Sequence, residues 1–211
     1  MHAYAIALAL ILFAAPSAVC AYSPKEGNVS ATLGLTIHQT NFDRSHSGAW
    51  AAYRPGIALL VDGDINNRAQ VELAVYHSDK QYFRDLNSVY VGEEVETLDI
   101  TMGYRHWINS WFSAALSFSS AYSMGYVRTI HNDFLPNPAI DTSAHDTVEY
   151  ALLFSAQADL YTYERFTAIV NGLYSLSLTG KPNEKADHYG IVIGLRYFIQ
   201  EKQVVERPKK N

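Results

Sequence analysis

Eight charged residues of both signs stand among the small and polar residues of this chain, and they offer most of the chemistry it could do. They are Arg54, Asp62, Glu72, Asp99, Arg105, Glu149, Asp159 and Arg196. If they face one narrow interior, unpaired charges would be costly there, so mutual pairing is one outcome and a gated ion path is the other. Both outcomes need the same residues, and the sequence leaves them open.

Acyl hydrolysis would require a serine, a histidine and an orienting acid close together. The candidates are His77 and the group of Ser143, His145 and Asp146. No nucleophile motif surrounds any of them. We therefore predict no catalytic residue and no enzymatic step.

A metal site has equally little support in the sequence. The possible ligands match no known ligand spacing; they are His131, Asp133, Asp141, His145 and Asp146. Cys20 is the only cysteine and lies in the N-terminal leader, so we expect no disulfide and no cysteine-based metal site in the mature chain. We predict no metal and no cofactor.

Period-two alternation runs through the segments that carry the eight charges, and it predicts β-strands. In residues 29–38, VSATLGLTIH, every odd position is apolar and every even one is small or polar, and side chains of a strand point alternately to opposite faces. Such segments lie at about residues 28–41, 51–62, 69–79, 95–107, 111–128, 146–161, 165–179 and 188–199. This pattern indicates an all-β protein, an eight-stranded antiparallel up-and-down transmembrane β-barrel.

Short and long connections alternate between these segments. Residues 62–68, 108–110 and 161–164 are predicted tight turns. The longer connections are 41–50, 80–94, 129–146 and 180–188. Outer-membrane barrels place their turns in the periplasm and their loops outside, so we expect both termini on the periplasmic side.

The two strand faces favour lipid outside over a soluble, lipocalin-like barrel whose apolar face is turned inward. A water-facing sheet would carry lysines, but all the lysines fall outside the predicted strands: Lys25, Lys80, Lys181, Lys185, Lys202, Lys209 and Lys210. Aliphatic residues occupy the strand centres and aromatic residues the ends, as membrane interfaces favour. The predicted interface aromatics are Tyr104, Phe112, Phe166 and Tyr197 near the turns, and Tyr53, Tyr122, Tyr126 and Tyr150 near the loops.

The ends of the chain differ from the barrel segments. Residues 3–15 form an apolar run that is too short to cross a bilayer as a helix and is typical of a signal peptide. We expect residues 1–21 to be the signal peptide, 22–199 the barrel and 200–211 a polar periplasmic tail. A lipoprotein signal at Cys20 is disfavoured because Val19 stands where a small residue is expected. The net charge of -5 and pI near 5.9 argue against nucleic acid as a partner.

The last strand segment carries the sharpest likeness to a known class. Its outward residues Ile191, Ile193, Leu195, Tyr197 and Ile199 resemble the terminal assembly signal of outer-membrane barrels. The usual final aromatic is replaced by Ile199, unless Phe198 takes that role in a shifted register. The chain as a whole resembles the small eight-stranded bacterial outer-membrane proteins, which include the OmpA transmembrane domain and OmpX-like barrels. The resemblance implies contact with the assembly machinery, outer-membrane lipid and lipopolysaccharide.

We therefore expect an exported outer-membrane protein that serves as a non-enzymatic surface scaffold, in envelope integrity or in adhesion. The alternatives are a narrow pore for ions or small solutes and, third, a lipid A acyl hydrolase. The expected sites for a surface ligand are loops 80–94 and 129–146, which mix aromatic and polar residues such as Tyr82, Phe83 and Tyr90. These residues could equally fold over the barrel mouth or lengthen the hairpins.

Overall fold

The computed structural model describes residues 24–44, 49–86, 89–134 and 141–200. The predicted signal peptide and residues 201–211 of the predicted tail lie outside the described residues. Within the described part of the chain, no helix is both long and apolar enough to cross a bilayer. The helical element described there is a single 3₁₀ turn, Ser143–His145.

Eight antiparallel strands form a closed barrel. They are β1 Val29–Thr40, β2 Arg54–Asn66, β3 Ala69–Leu86, β4 Val89–Trp107, β5 Phe112–Ser123, β6 Val148–Tyr163, β7 Phe166–Ser177 and β8 His188–Gln200. Each strand pairs with the next along the chain, and β8 pairs back with β1, where Leu33 lies opposite Leu195. The predicted eight-stranded up-and-down barrel is confirmed.

The alternation along each strand places apolar side chains outside and polar ones inside. In β1, Leu33 and Leu35 are 67% and 68% exposed, whereas Thr32 and Thr36 are 1% and 3% exposed. A water-soluble barrel would bury the leucines, because burial of apolar surface drives folding in water. An apolar outer surface around a polar interior is the arrangement of a transmembrane barrel.

Aromatic side chains lie on the outer surface near both ends of the barrel. At the turn end, Phe166 and Tyr197 have ring centroids 5.0 Å apart across β7 and β8. At the loop end, Tyr150 stacks on Phe118 with centroids 5.6 Å apart. Tyr126 follows β5 in the connection above the barrel rim and is 99% exposed.

The interior is packed rather than open. A buried apolar layer crosses the middle of the lumen; it consists of Ala58, Leu60, Ala74, Tyr76, Leu153, Leu173 and Val192. On the lumen side of β4, a Cβ atom at Gly103 would lie 2.1 Å from Oγ of Ser117. Glycine at this position therefore lets neighbouring strands bring their inner side chains close together.

Five strands agree with the sequence prediction to within four residues at each end, and three differ more. The predicted loop 80–94 is wrong, because β3 and β4 continue through it as one long hairpin. The predicted strand 111–128 ends at Ser123, and Arg128–Asn132 forms a separate short strand that pairs with β4. Lys185 also lies in a two-residue strand, Glu184–Lys185, that pairs with β3.

The first test concerns the outer surface. The substitution Leu35→Arg places a charge in the middle of the lipid-facing band and should lower the free energy of unfolding from lipid vesicles by about 2–4 kcal/mol. The matched control is Tyr126→Arg, above the rim, which should change that free energy little. Urea unfolding followed by heat-dependent gel mobility measures both variants. A Leu35→Arg barrel as stable as the control would contradict a lipid-facing surface.

Candidate functional site in the lumen and loop cap

The turn-end half of the lumen contains a buried ion pair between β3 and β4. Arg105 donates from Nε to Oε2 of Glu72 at 2.8 Å, and its Nη2 reaches the same oxygen. The arginine also donates to Oγ of Ser113 at 3.0 Å and to Oγ of Ser155 at 3.2 Å. The Arg105 and Glu72 side chains are 0% and 1% exposed. One arginine thus links four strands across the lumen.

A second ion pair lies beside the first. Arg196 on β8 pairs with Asp159 on β6, and both side chains are buried. The guanidinium of Arg196 also lies 5.5 Å from the ring centroid of Trp107 and 5.4 Å from that of Phe198. Asp62 is buried in the same half of the barrel, opposite Glu72 in the β2–β3 register.

The loop-end half is crossed by a third buried pair. Lys80 Nζ donates to Oε2 of Glu149 at 2.7 Å, and Oη of Tyr82 donates to the same oxygen at 2.7 Å. The Lys80 and Glu149 side chains are each 3% exposed. Asp99 lines a small cavity below this pair. The placement of Lys80 outside the strands was therefore wrong: it lies in β3 and turns into the lumen.

The structure places seven of the eight predicted luminal charges inside the barrel and the eighth at its mouth. Arg54 pairs with Glu94, which Arg128 also contacts. It pairs with neither Asp99 nor Glu149, the two predicted luminal charges that lie in the loop-end half of the barrel. Sequence reasoning missed the partners Lys80 and Glu94 because residues 80–94 were assigned to a loop.

Above the barrel rim, the long β3–β4 hairpin forms the centre of a folded loop cap. We use this name for residues 79–86 and 89–96 together with the described parts of the connections β1–β2, β5–β6 and β7–β8. On one side of the hairpin, Phe83 stacks on Phe42 with centroids 4.1 Å apart, and Tyr90 packs beside them. On the other side, Tyr82 and Val95 pack against Ala144 and Ala186.

Polar contacts join the connections within the loop cap. Thr142 donates from Oγ1 to Glu93 at 2.7 Å, and Ser143 donates from its backbone N to Glu184 at 2.6 Å. Lys181 Nζ donates to Asp141 at 2.7 Å, and this hydrogen bond holds the pKa of the exposed Asp141 carboxyl below its usual value. The β5–β6 and β7–β8 connections are thereby tied to the hairpin and to each other.

Of the two interpretations of the aromatics in segment 80–94, these contacts agree with the lengthened hairpin and not with exposed anchors for a ligand. Tyr82, Phe83, Tyr90 and Val91 are 1%, 4%, 8% and 2% exposed. They are buried because the neighbouring connections pack on both faces of the hairpin. In the second predicted loop, Phe134 is partly buried, and residues 135–140 lie outside the described residues.

The candidate hydrolytic residues do not form a triad in the structure. Nε2 of His77 lies 2.6 Å from Glu96 on the outer face of the barrel. Ser143 donates to Glu184, whereas Nε2 of His145 lies 3.1 Å from Glu93. Ser143 and His145 thus contact different glutamates and do not share one orienting acid.

The candidate metal ligands are also separated. Asp141 and Asp146 contact Lys181, and His131 contacts Asp133. No group of three or more His, Cys, Asp or Glu side chains within the described ranges is arranged to hold a metal ion.

The five residues of the predicted assembly signal all lie on the outer face of β8. Their exposure ranges from 38% at Tyr197 to 63% at Ile193. Phe198 points to the lumen side, where its ring contacts Arg196. The shifted register that would give Phe198 the outward aromatic role is therefore not the one in the structure.

The fold defines the chain as a small eight-stranded barrel of the outer-membrane type, the class that the sequence resembles. The sequence matches no family model and no curated protein. Among solved structures, it is similar to Ail, the attachment invasion locus protein of Yersinia pestis, with 16% identity, a TM-score of 0.45 and coverage of 82% of this chain and 99% of that chain. Ail in complex with the heparin analogue sucrose octasulfate gives 15% identity and the same TM-score and coverage.

A further similar structure is that of the outer membrane protein AlkL in lipid bilayers. It shows 10% identity, a TM-score of 0.40 and coverage of 90% of this chain and 98% of that chain. Identities and TM-scores this low do not by themselves establish a fold. The fold is established by the strand pairing of this chain.

The second test measures the central ion pair. Arg105→Met or Glu72→Met alone leaves a buried charge without its partner and should cost about 3–5 kcal/mol of unfolding free energy. The double variant removes both charges and should lose less than the sum of the single losses. Urea titrations of the three refolded variants measure this coupling. Strictly additive losses would show that the two side chains do not stabilise each other.

Proposed function

We propose that this protein is a non-conducting outer-membrane barrel that holds the loop cap as a rigid scaffold at the cell surface, for envelope integrity or adhesion. The observation that carries the proposal is the succession of buried ion pairs across the lumen. Arg105–Glu72 and Arg196–Asp159 fill the turn-end half, and Lys80–Glu149 fills the loop-end half. An eight-stranded barrel has an interior about wide enough only for its side chains.

The apolar layer between the two charged halves supports the same proposal. Leu60 and Val192 are 0% exposed in this layer. A hydrated ion would have to leave its water to pass them, which is costly in an apolar constriction. The lumen therefore serves to hold the barrel together.

The packed loop cap is suited to recognition because a rigid surface loses little conformational entropy on binding. Its buried aromatics are internal supports, so a ligand would meet the exposed residues instead. Tyr126 is 99% exposed and precedes the short strand Arg128–Asn132, and Ile130 is 37% exposed and lies within that strand. We place the ligand-binding surface of the scaffold in this region rather than in the hairpin 80–94.

The absence of an enzymatic step is also part of the proposal. It is supported by the separate partners of Ser143 and His145. Acyl transfer needs a base that can take the proton of a nearby nucleophile. Ser143 does not offer its proton to His145, because its hydroxyl donates to Glu184 instead.

The third test is electrical. The refolded full chain, shown to be folded by its heat-dependent gel mobility, should give no single-channel openings in a planar lipid bilayer. The matched variant Glu149→Gln weakens the contact with Lys80 and should also remain silent, because the apolar layer below is unchanged. Reproducible openings of the folded wild-type barrel would contradict the scaffold proposal and favour a narrow pore.

The fourth test addresses hydrolysis. Expression of the protein in a Gram-negative host should leave the mass of lipid A unchanged in mass spectrometry. His77→Asn and Ser143→Ala serve as the reference variants. Loss of an acyl chain from lipid A with the wild type, abolished by either substitution, would contradict a non-enzymatic scaffold.

A further inference from the structure

Two histidines meet on the strands that close the barrel. His38 lies on β1 and His188 on β8, where Thr40 is opposite His188 and His38 is opposite Gly190. Both point into the lumen, and their ring centroids are 5.4 Å apart with 60° between the ring planes. The pair therefore spans the seam between the first and last strands.

The two imidazoles have different surroundings. Nε2 of His38 lies 3.1 Å from the carbonyl oxygen of Asp79, so this nitrogen carries the proton. Nδ1 of His188 is buried and has no hydrogen-bond partner. A histidine that donates one N–H to a carbonyl presents a lone pair on its other nitrogen, which is how metal-binding histidines are usually held.

Both imidazoles line the same small cavity in the loop-end half of the lumen. The cavity measures about 20 Å³ and is also lined by Tyr76, Asp99 and Thr101. Oη of Tyr76 and Oγ1 of Thr101 are buried and have no hydrogen-bond partner. Tyr76 and Thr101 are themselves 7% and 1% exposed. Such a volume holds about one or two water-sized groups, and its walls offer oxygen atoms as well as imidazole nitrogens.

One carboxylate lines the cavity and could balance the charge of a bound cation. It belongs to Asp99, which is 9% exposed. The nearby cations are paired elsewhere, Lys80 with Glu149 and Arg54 with Glu94.

The distance between the rings suits one shared ion. Zinc lies about 2.0–2.1 Å from a histidine nitrogen, which puts it about 3 Å from each ring centroid. Two imidazoles at tetrahedral positions on one ion then have centroids about 5 Å apart. The separation of 5.4 Å between His38 and His188 is close to that value.

We propose that His38 and His188 bind one divalent transition-metal ion of the zinc and copper class, and that this ion links β1 to β8 at the seam of the barrel. Water and the hydroxyls of Tyr76 and Thr101 complete the coordination, and Asp99 balances the charge. Imidazole is a preferred ligand of both metals. The site goes beyond the scaffold function and does not depend on it, since a barrel that does not conduct ions could either bind the metal or lack the site.

The test uses Zn²⁺ alone, added to the refolded full chain and, separately, during refolding. Isothermal titration should show one saturable site, and the thermal unfolding temperature should rise with Zn²⁺ concentration because the ion binds the folded barrel. His38→Asn and His188→Asn should each weaken binding at least tenfold. The matched controls His77→Asn and His145→Asn, on the outer face and in the loop cap, should leave it unchanged.

A second measurement applies even if the luminal variants fail to fold. Electron paramagnetic resonance of Cu²⁺ bound to the wild-type barrel should show two coordinated imidazole nitrogens. A spectrum with none or one, or Zn²⁺ binding that survives His188→Asn in a folded barrel, would overturn the proposal. Conductance in a lipid bilayer tests the scaffold proposal, and metal binding tests the histidine site. Either proposal can therefore fail without the other.

Discussion

A closed lumen that is only wide enough for side chains makes an unpaired charge inside it costly, and the buried ion pairs of this barrel follow from that constraint. Closure of β8 onto β1 removes the free strand edges and leaves lipid outside. Inside, Arg105 and Arg196 can be accommodated because Glu72 and Asp159 neutralise them. The polar interior is thus a packed core in its own right, which replaces the apolar core of a soluble protein.

Buried ion pairs of this kind specify an arrangement more than they add stability. Removing one partner is strongly unfavourable, whereas replacing both by apolar residues is often neutral. In this barrel, the pairs join strands that are far apart in the sequence: Lys80 on β3 reaches Glu149 on β6. They therefore select one strand order and one register. The same Lys80 connects the lumen to the loop cap, since Tyr82, two residues further along β3, contacts the same glutamate.

Period-two alternation was sufficient to predict the fold because one face of each strand meets lipid and the other a polar lumen, as at Leu33 and Thr32. At Lys80, Gln81, Tyr82 and Phe83 the side chains still point alternately to the two faces, but there both faces are buried, by Glu149 on one side and Phe42 on the other. A strand with two buried faces shows no apolar–polar alternation in its sequence. A lysine in such a segment is therefore easily assigned to a loop. The inward direction of the luminal charges could be predicted, but their partners could not, because pairing depends on how neighbouring strands are staggered. The seam histidines had no sequence signal, since they lie at opposite ends of the barrel sequence and meet only when the barrel closes.

The most direct test of a closed lumen is the reactivity of a cysteine placed in its middle. Ser117 on β5 is 2% exposed and faces the lumen, and cysteine is nearly its isostere. In a Cys20→Ser background, we expect the thiol of Ser117→Cys to be protected in the folded barrel from a small charged thiol reagent, and to react only after unfolding. Tyr126→Cys, above the rim, should react at once. Rapid labelling of the folded Ser117→Cys barrel would show a continuous water path and contradict the closed lumen.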